Sequence, residues 1–445
     1  MKIFLIISNN YFYNNYLSDD ILKELKNLSS IKIISNQELV NDKKKLVTNF
    51  IKENNLNKKI HYLIAAISMY LNEKKYKSFK YRIETRYFPQ KIKYFNLKSV
   101  AKYIRKLLSF LLLKIISKSE LISKSIIKFL KFFLSTNDQL KYIILKEKPD
   151  LILMPTNGYF SFELDMEYTL HKLNQKYISL VDNWDNLTTK TILTYKANHY
   201  GVWGDQNRIH AKEIQNIEID NTTSIGTPRY EVYKKKVIKK LFDFKYILFT
   251  GSSNQFDEYK ILKKMNHILQ KSKDIKLVYR PHPWRESNEF PDLNSLNKII
   301  LDPQIEKFYK QKKNDFNFSF TPELDYYPDL VGGAEFVMGG PTSMMIEAQL
   351  IKKKYIVFAH EEDNEKYSPK KWLNAYTHFS ELFLLKNLII INNLNELDKK
   401  IDVLIDQGTN FETDSFLNYF ITFDEESYSK KLVKLIKKFM NKDAF

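Results

Sequence analysis

Four short segments bring together residue types that bind phosphates and sugar hydroxyls. In the first, Gly339-Gly340-Pro341-Thr342-Ser343 leads into a helical stretch, Met344 to Ile351, with Glu347 a turn further on the same side. Glycine lets backbone approach a ligand closely. The free amides of a helix start favour an anion. Thr342 and Ser343 add hydroxyl donors, and the Glu347 carboxylate can accept two ribose hydroxyls while the helix end holds a phosphate. The plainer reading is that Thr342 or Ser343 caps the helix. In the second segment, Arg280-Pro281-His282-Pro283, two prolines fix an imidazole at a strand end, where it can donate to a phosphate or a base edge. The plainer reading is a loop histidine without a task, one of eight in the chain.

The third segment is Asp182-Asn183-Trp184-Asp185-Asn186. Aromatic faces stack on sugars, and carboxylates and amides bind their hydroxyls. Asp182 or Asp185 can serve as the general base for an acceptor hydroxyl. A structured turn that caps the next helix is the plainer alternative. The Asp-x-x-Asp spacing alone does not make a metal site, since no histidine or carboxylate cluster accompanies it, and no metal is expected. The fourth segment, Gly226-Thr227-Pro228-Arg229, is either an ordinary turn or the hinge of two closing domains.

The elements that must position these residues alternate between strand and helix. Ile3 to Ile7 and Ile31 to Ile34 read as strands around a helix from Leu17 to Leu28, with Ser18 or Asp19 as caps. Strands are expected before Thr156, at Tyr177 to Val181 and at Tyr200 to Val202. The second half restarts the pattern at Tyr246 to Thr250, Ile275 to Tyr279, Phe336 to Met338, Tyr355 to Phe358 and Leu388 to Ile391. This alternation predicts parallel sheets wrapped by helices, with ligands beyond the carboxyl ends of the strands. Two domains follow, 1–235 and 236–425, then a basic amphipathic helix within 426–445. The stretch 97–135 breaks the pattern. It reads as two helices with apolar residues at helical spacing and many lysines. They pack on the first domain with their lysines in water, or they lie on an anionic membrane.

The length of 445 residues suits two cores, and the 44% apolar content can fill them. There is no cysteine, so a disulfide framework, a thiolate nucleophile and a cysteine zinc site are excluded. The formal charge of +19 favours phosphate-bearing partners. No nucleic-acid module is visible, and nucleic acid is not an expected partner. The N-terminal apolar run is too short for a signal peptide, and no apolar stretch reaches the length of about 18 residues that a membrane span needs. The expected location is cytoplasmic, either free or peripheral on the inner face of the membrane through the basic insert.

The Asp182-to-Thr188 stretch, Val202-Trp203-Gly204, Gly226-Thr227-Pro228-Arg229 and Thr342-Ser343 with Glu347-Ala348 occur in this order in bacterial surface-carbohydrate glycosyltransferases of capsule and O-antigen type. The chain resembles that family in patches over residues 145–365. Relatives with a His-Pro motif and a later Ser/Thr-Ser motif include sialyl-, polysialyl- and Kdo transferases and CDP-glycerol glycerophosphotransferases. The resemblance implies the α/β GT-B architecture, two facing Rossmann-like domains with parallel sheets and a cleft between them. It implies a nucleotide-sugar donor contacted by His282, Thr342 and Ser343, with Glu347 on the ribose; Arg280 and Gly340 join them as donor-binding candidates from the reading of the residues. The acceptor, a surface glycan or lipid-linked glycan, falls to Asn183, Trp184 and Asn186, with Asp182, Asp185 and His282 as the catalytic candidates. No cofactor beyond the co-substrate is implied. The acid pair with glycine of polysialyltransferases is not visible here, and the basic insert has no counterpart. A glycerophosphotransferase, a nucleotide-sugar epimerase and a non-catalytic membrane-associated scaffold remain the alternatives.

Overall fold

The N-terminal apolar run forms β1 (Lys2–Ile7), buried from Ile3 onward. Successive side chains of a strand point to opposite faces. Ile3, Leu5 and Ile7 enter one core cluster, while Phe4 and Ile6 enter another. A strand apolar on both faces must lie inside a sheet covered on both sides. That is its position in a computed structural model, which describes residues 1–36, 49–89, 97–158, 160–234, 237–254, 256–272, 274–282, 293–314, 325–362, 368–406, 411–412 and 414–442.

The chain divides into two compact units. The first comprises Met1–Pro228, Tyr376–His378 and Asn418–Phe445, and the second Arg229–Ala375 and Phe379–Leu417. The division therefore falls inside the Gly226-Thr227-Pro228-Arg229 turn. The boundary expected between 235 and 236 lies outside the described residues.

In the first unit, β1 is joined by β2 (Ser30–Ser35), β3 (Asn49–Phe50), β4 (Leu151–Thr156), β5 (Tyr177–Val181), β6 (His199–Val202) and β7 (Thr222–Ser224). The order is β3-β2-β1-β4-β5-β6-β7, with every pairing parallel. The strand order reverses between β1 and β4, the position at which open α/β sheets bind ligands.

Helix α1 (Asp19–Leu28) covers one face of this sheet, and Ser18 stands at its N-cap without a side-chain capping bond. Helix α2 (Asn55–Leu71) is capped by the Asn54 carboxamide and carries the insert, α3 (Leu97–Ile116) and α4 (Glu120–Phe132). Phe110, Leu113, Ile116, Ile126, Ile127 and Leu130 pack there against Ile67, Met69 and Tyr70. Helix α5 (Ser161–Lys172) lies against the opposite face of the sheet, buried from Ser161 to Leu170.

The second unit contains β8 (Lys245–Thr250), β9 (Ile275–Arg280), β10 (Ile299–Leu301), β11 (Val337–Gly339), β12 (Tyr355–Phe358) and β13 (Leu388–Ile391). Their order is β10-β9-β8-β11-β12-β13, again all parallel. The reversal here lies between β8 and β11. Helix α6 (Glu258–Leu269) follows β8, and α7 (Met344–Leu350) follows β11. The terminal helix α8 (Tyr428–Lys442) belongs to the first unit. Its stripe Tyr428, Leu432, Leu435 and Ile436 fills the core of the first unit beside Ile3, Leu5 and Ile7.

Candidate functional site

The polar segments singled out in the sequence stand at carboxyl ends of strands, on either side of the strand reversal in the second unit and on the β4 side of it in the first. In the second unit the loop after β8 meets the loop after β9. A Cβ on Gly251 would lie 2.8 Å from the His282 amide nitrogen and 2.9 Å from Pro281 Cα, so only glycine lets the two loops touch. Gly339, at the end of β11, likewise has no room for a side chain against the Thr250 carbonyl oxygen and the Tyr355 hydroxyl. These approaches bring His282, partly exposed, and the Gly340-to-Ser343 loop to one end of one sheet. Pro283 lies outside the described residues.

The first turn after β11 is bonded within itself. Met344 N donates to Thr342 Oγ1 (3.3 Å), Met345 N to the Thr342 carbonyl (3.1 Å) and Ile346 N to the Ser343 carbonyl (2.9 Å). Helix α7 is only seven residues long. The free helix-start amides expected from the sequence are thus engaged at Met344, Met345 and Ile346. Hydroxyls are the better donors here. Thr342 Oγ1 accepts from Met344 N and lies within reach of the Tyr355 phenol, so its proton goes to that oxygen or to a ligand.

Glu347 is buried, and both its oxygens are engaged. Tyr233 Oη donates at 2.6 Å, Tyr230 Oη at 3.1 Å and Ser343 Oγ at 3.3 Å. Burial, with the Glu347 charge beside them, pushes both phenols well above their ordinary range, so they stay protonated donors. Arg280 is also buried. It pairs with Asp302, donates to Gln304 Oε1 (2.8 Å) and Tyr327 Oη (2.9 Å), and stacks its guanidinium 4.5 Å from the Tyr327 ring centre. Its charge is neutralised inside the unit.

Beside Gly340 stand Phe256 and Trp372, each 3.2 Å from where a Cβ would sit. Trp372 Nε1 and His360 Nδ1 are buried without a hydrogen-bond partner among the described residues, polar atoms that a water or a ligand edge would satisfy.

In the first unit the Asp182-to-Asn186 segment follows β5 and is tied to the end of β4. Asn183 Nδ2 donates to Asn157 Oδ1 (3.2 Å) and Asn186 Nδ2 to the Thr156 carbonyl (3.0 Å). Asp182 is fully buried, its backbone oxygen accepting from Trp203 Nε1 (3.0 Å). Trp184 is buried too. Its indole donates to Gln206 Oε1 (2.6 Å) and meets the His378 ring at 4.9 Å and the Phe420 ring at 5.9 Å. A sugar could stack on this indole only if those rings moved.

Asp185 pairs with Lys190 at 3.0 Å and accepts from Thr189 Oγ1 at 2.8 Å. Burial acts to raise its pKa, but Lys190, His378 and Thr189 outweigh it and hold the carboxyl well below the usual range. Such a group is a weak proton acceptor. The segment after it, Asn186–Lys190, is a single π-helical turn.

Sequence reasoning missed Glu163, on the first turn of α5. Its carboxylate accepts from Ser8 Oγ (2.9 Å), Thr156 Oγ1 (2.8 Å) and Asn157 N (3.0 Å), bridging the loops after β1 and β4. Burial pushes it up to about 7, the hydrogen bonds opposing and the Asp182 charge assisting. The available signal was spacing. Glu163, Asp165 and Glu167 fall on no single face of a helix, so they cannot all be a solvated edge. Among the described residues no group of three or more His, Asp or Glu side chains is placed to hold a metal ion.

No protein-family model matches the sequence, and no curated protein matches it. Solved structures do match along nearly the whole chain. The UDP-GlcNAc 2-epimerase of Methanocaldococcus jannaschii is similar at 14% identity and a TM-score of 0.50, over 98% of this chain and 100% of that one. The UDP-GlcNAc 2-epimerase of Neisseria meningitidis, bound to UDP-GlcNAc, gives 11% and 0.50 over 98% and 100%. A glycosyltransferase of kitacinnamycin gives 8% and 0.50 over 98% of each chain. The likeness is one of fold: this chain has the GT-B architecture of two parallel-sheet units.

Proposed function

We propose that the protein is a glycosyltransferase that moves a sugar from a nucleotide-sugar donor to a surface-glycan or lipid-linked acceptor. The observation that carries this reading is the gathering of His282, Thr342 and Ser343 at the strand reversal of the second unit, where open α/β sheets bind nucleotides. In the transfer, an acceptor oxygen bonds to the anomeric carbon as the bond to the nucleotide phosphate breaks. His282 and the Thr342 hydroxyl offset charge on the departing phosphate. Glu347 positions Ser343 beside the donor, and a ribose diol reaches the Glu347 oxygens by replacing the phenols of Tyr230 and Tyr233. Arg280 holds the end of β9 rigid through Asp302.

The first unit takes the acceptor at Asn183, Asn186 and the loop after β4. Asp182 and Glu163 are the candidate bases, and a carboxyl that titrates near neutrality suits proton uptake. Two of the similar structures are UDP-sugar enzymes, which makes UDP the first nucleotide to try.

The test is a thermal-shift screen of UDP, CDP, CMP, GDP and ADP, with and without EDTA, on wild type and His282→Ala. At a hundred times Kd a bound nucleotide adds about 2.7 kcal/mol, which raises the Tm of a unit of this size by roughly 5–10 °C. The shift should survive EDTA and shrink in His282→Ala. If no nucleotide moves the Tm at saturating concentration, the glycosyltransferase reading fails and the non-catalytic scaffold takes its place.

A further inference from the structure

Helices α3 and α4 carry more apolar side chains than the first unit can cover. Each is apolar on two faces. The inner stripes, Phe110, Leu113 and Ile116 with Ile126, Ile127 and Leu130, pack against α2 and its neighbours. The outer stripe of α3 is Ile104, Leu108, Leu111, Leu112 and Ile115, at the spacing of one helical face. On and just after α4, Leu121, Ile122, Phe129, Phe132 and Phe133 form a second exposed apolar face. These side chains are exposed, Ile115 to 64%, Leu121 to 77% and Phe132 to 83%. Exposed apolar stripes of this kind mark an interaction site.

Charge identifies the occupant. Residues 97–134 hold nine Lys and Arg against one acid, Glu120. Lys114 pairs with Glu73 and Lys124 with Glu120. Lys98, Lys102, Arg105, Lys106, Lys118 and Lys128 are exposed and form no ion pair among the described residues. A second copy of the same hairpin would set like charges against each other. An anionic bilayer satisfies both features, with acyl chains taking the leucines and phenylalanines and headgroup phosphates taking the lysines. Among the described residues no helix is long and apolar enough to cross a membrane, so the fitting geometry lies in the interface.

We propose that the hairpin Leu97–Phe133 binds the surface of an anionic lipid bilayer, its outer apolar stripe inserted at the headgroup boundary. The inference stands independently of the nucleotide site. If both hold, the hairpin keeps the enzyme at the surface where a lipid-linked acceptor resides.

The experiment is co-sedimentation of the full chain with vesicles of phosphatidylcholine alone or mixed with phosphatidylglycerol, at low and at physiological salt. Two triple variants accompany it, Leu112→Asp/Phe129→Asp/Phe132→Asp and Lys102→Gln/Lys106→Gln/Lys128→Gln. All six residues are exposed, so melting curves should match wild type. Wild type should pellet with the mixed vesicles and less so at higher salt. The lysine variant should lose about fivefold in partitioning per charge removed. The aspartate variant should stay in the supernatant. No pelleting at low salt, or equal pelleting with phosphatidylcholine alone, overturns the proposal. So does a concentration-dependent dimer that the aspartate variant dissolves, since a second copy would then own the stripe. Vesicle binding without nucleotide binding would sink the enzymatic reading and leave this one standing, and the reverse result would do the opposite.

Discussion

Glu163 is the residue where chemistry and stability are most tightly linked. Its folded pKa, about 7, lies above the ordinary value of 4.5 because the carboxylate is buried. The folded state therefore holds a proton there that the unfolded chain has released between those two values. Stability conferred by the protonated form is complete below about pH 4 and is lost as pH rises through 7. Urea unfolding of wild type and Glu163→Gln across pH 4–8 should show near-equal stability at the acid end. At pH 8 the variant should be more stable by up to about 3 kcal/mol. Parallel pH profiles would mean that Glu163 does not titrate in this window. In a glycosyl-transfer assay the same substitution should cost kcat if Glu163 is the base and leave it unchanged if Asp182 is.

At the scale of elements, the end of β9 is set by a buried ion pair that no local pattern announces. Arg280 and Asp302 are both buried, the latter completely. Removing one partner strands the other charge, which typically costs about 3–5 kcal/mol. Arg280→Ala should therefore lower the unfolding free energy by that amount in a denaturant titration. A variant with near-wild-type stability and weakened nucleotide binding would return Arg280 to the role of phosphate ligand. The Asp182-to-Asn186 segment shows the same conversion of polar residues into scaffold. Trp184 is held by Gln206, and Asp185 by Lys190 and Thr189. Asn183 and Asn186 tie the loop after β5 to the one after β4.

For the whole molecule, the two units are not consecutive halves of the chain. Residues from Asn418 onward return to the first unit, where α8 places Tyr428, Leu432, Leu435 and Ile436 in its core. Four such side chains at about 1.5–3 kcal/mol each amount to the stability of an ordinary domain. Ending the chain before Tyr428 should unfold the first unit, seen as loss of amide-exchange protection in β1, β4 and β5 while β8, β9 and β11 stay protected. Retained protection in β1 would show that the core does not depend on the terminal helix.

Periodicity in the sequence was enough to locate most of the strands. Runs such as Ile3 to Ile7 and Tyr246 to Phe249 are apolar without interruption, and Tyr177 to Val181 is broken only by the small Ser179; only a doubly covered strand buries such a run. The same runs placed Asp182, His282 and Thr342 at strand ends, because a loop must begin where the apolar run stops. β3 and β10, two and three residues long, and the first helix, Asn10–Tyr16, left no comparable pattern. Only the tertiary structure decided which polar residues remain available. Glu347 meets two phenols more than a hundred positions away, and Arg280 meets Asp302 across 22. Hydrogen-bond partners and burial come from elements distant in the chain, and local spacing carries no record of them.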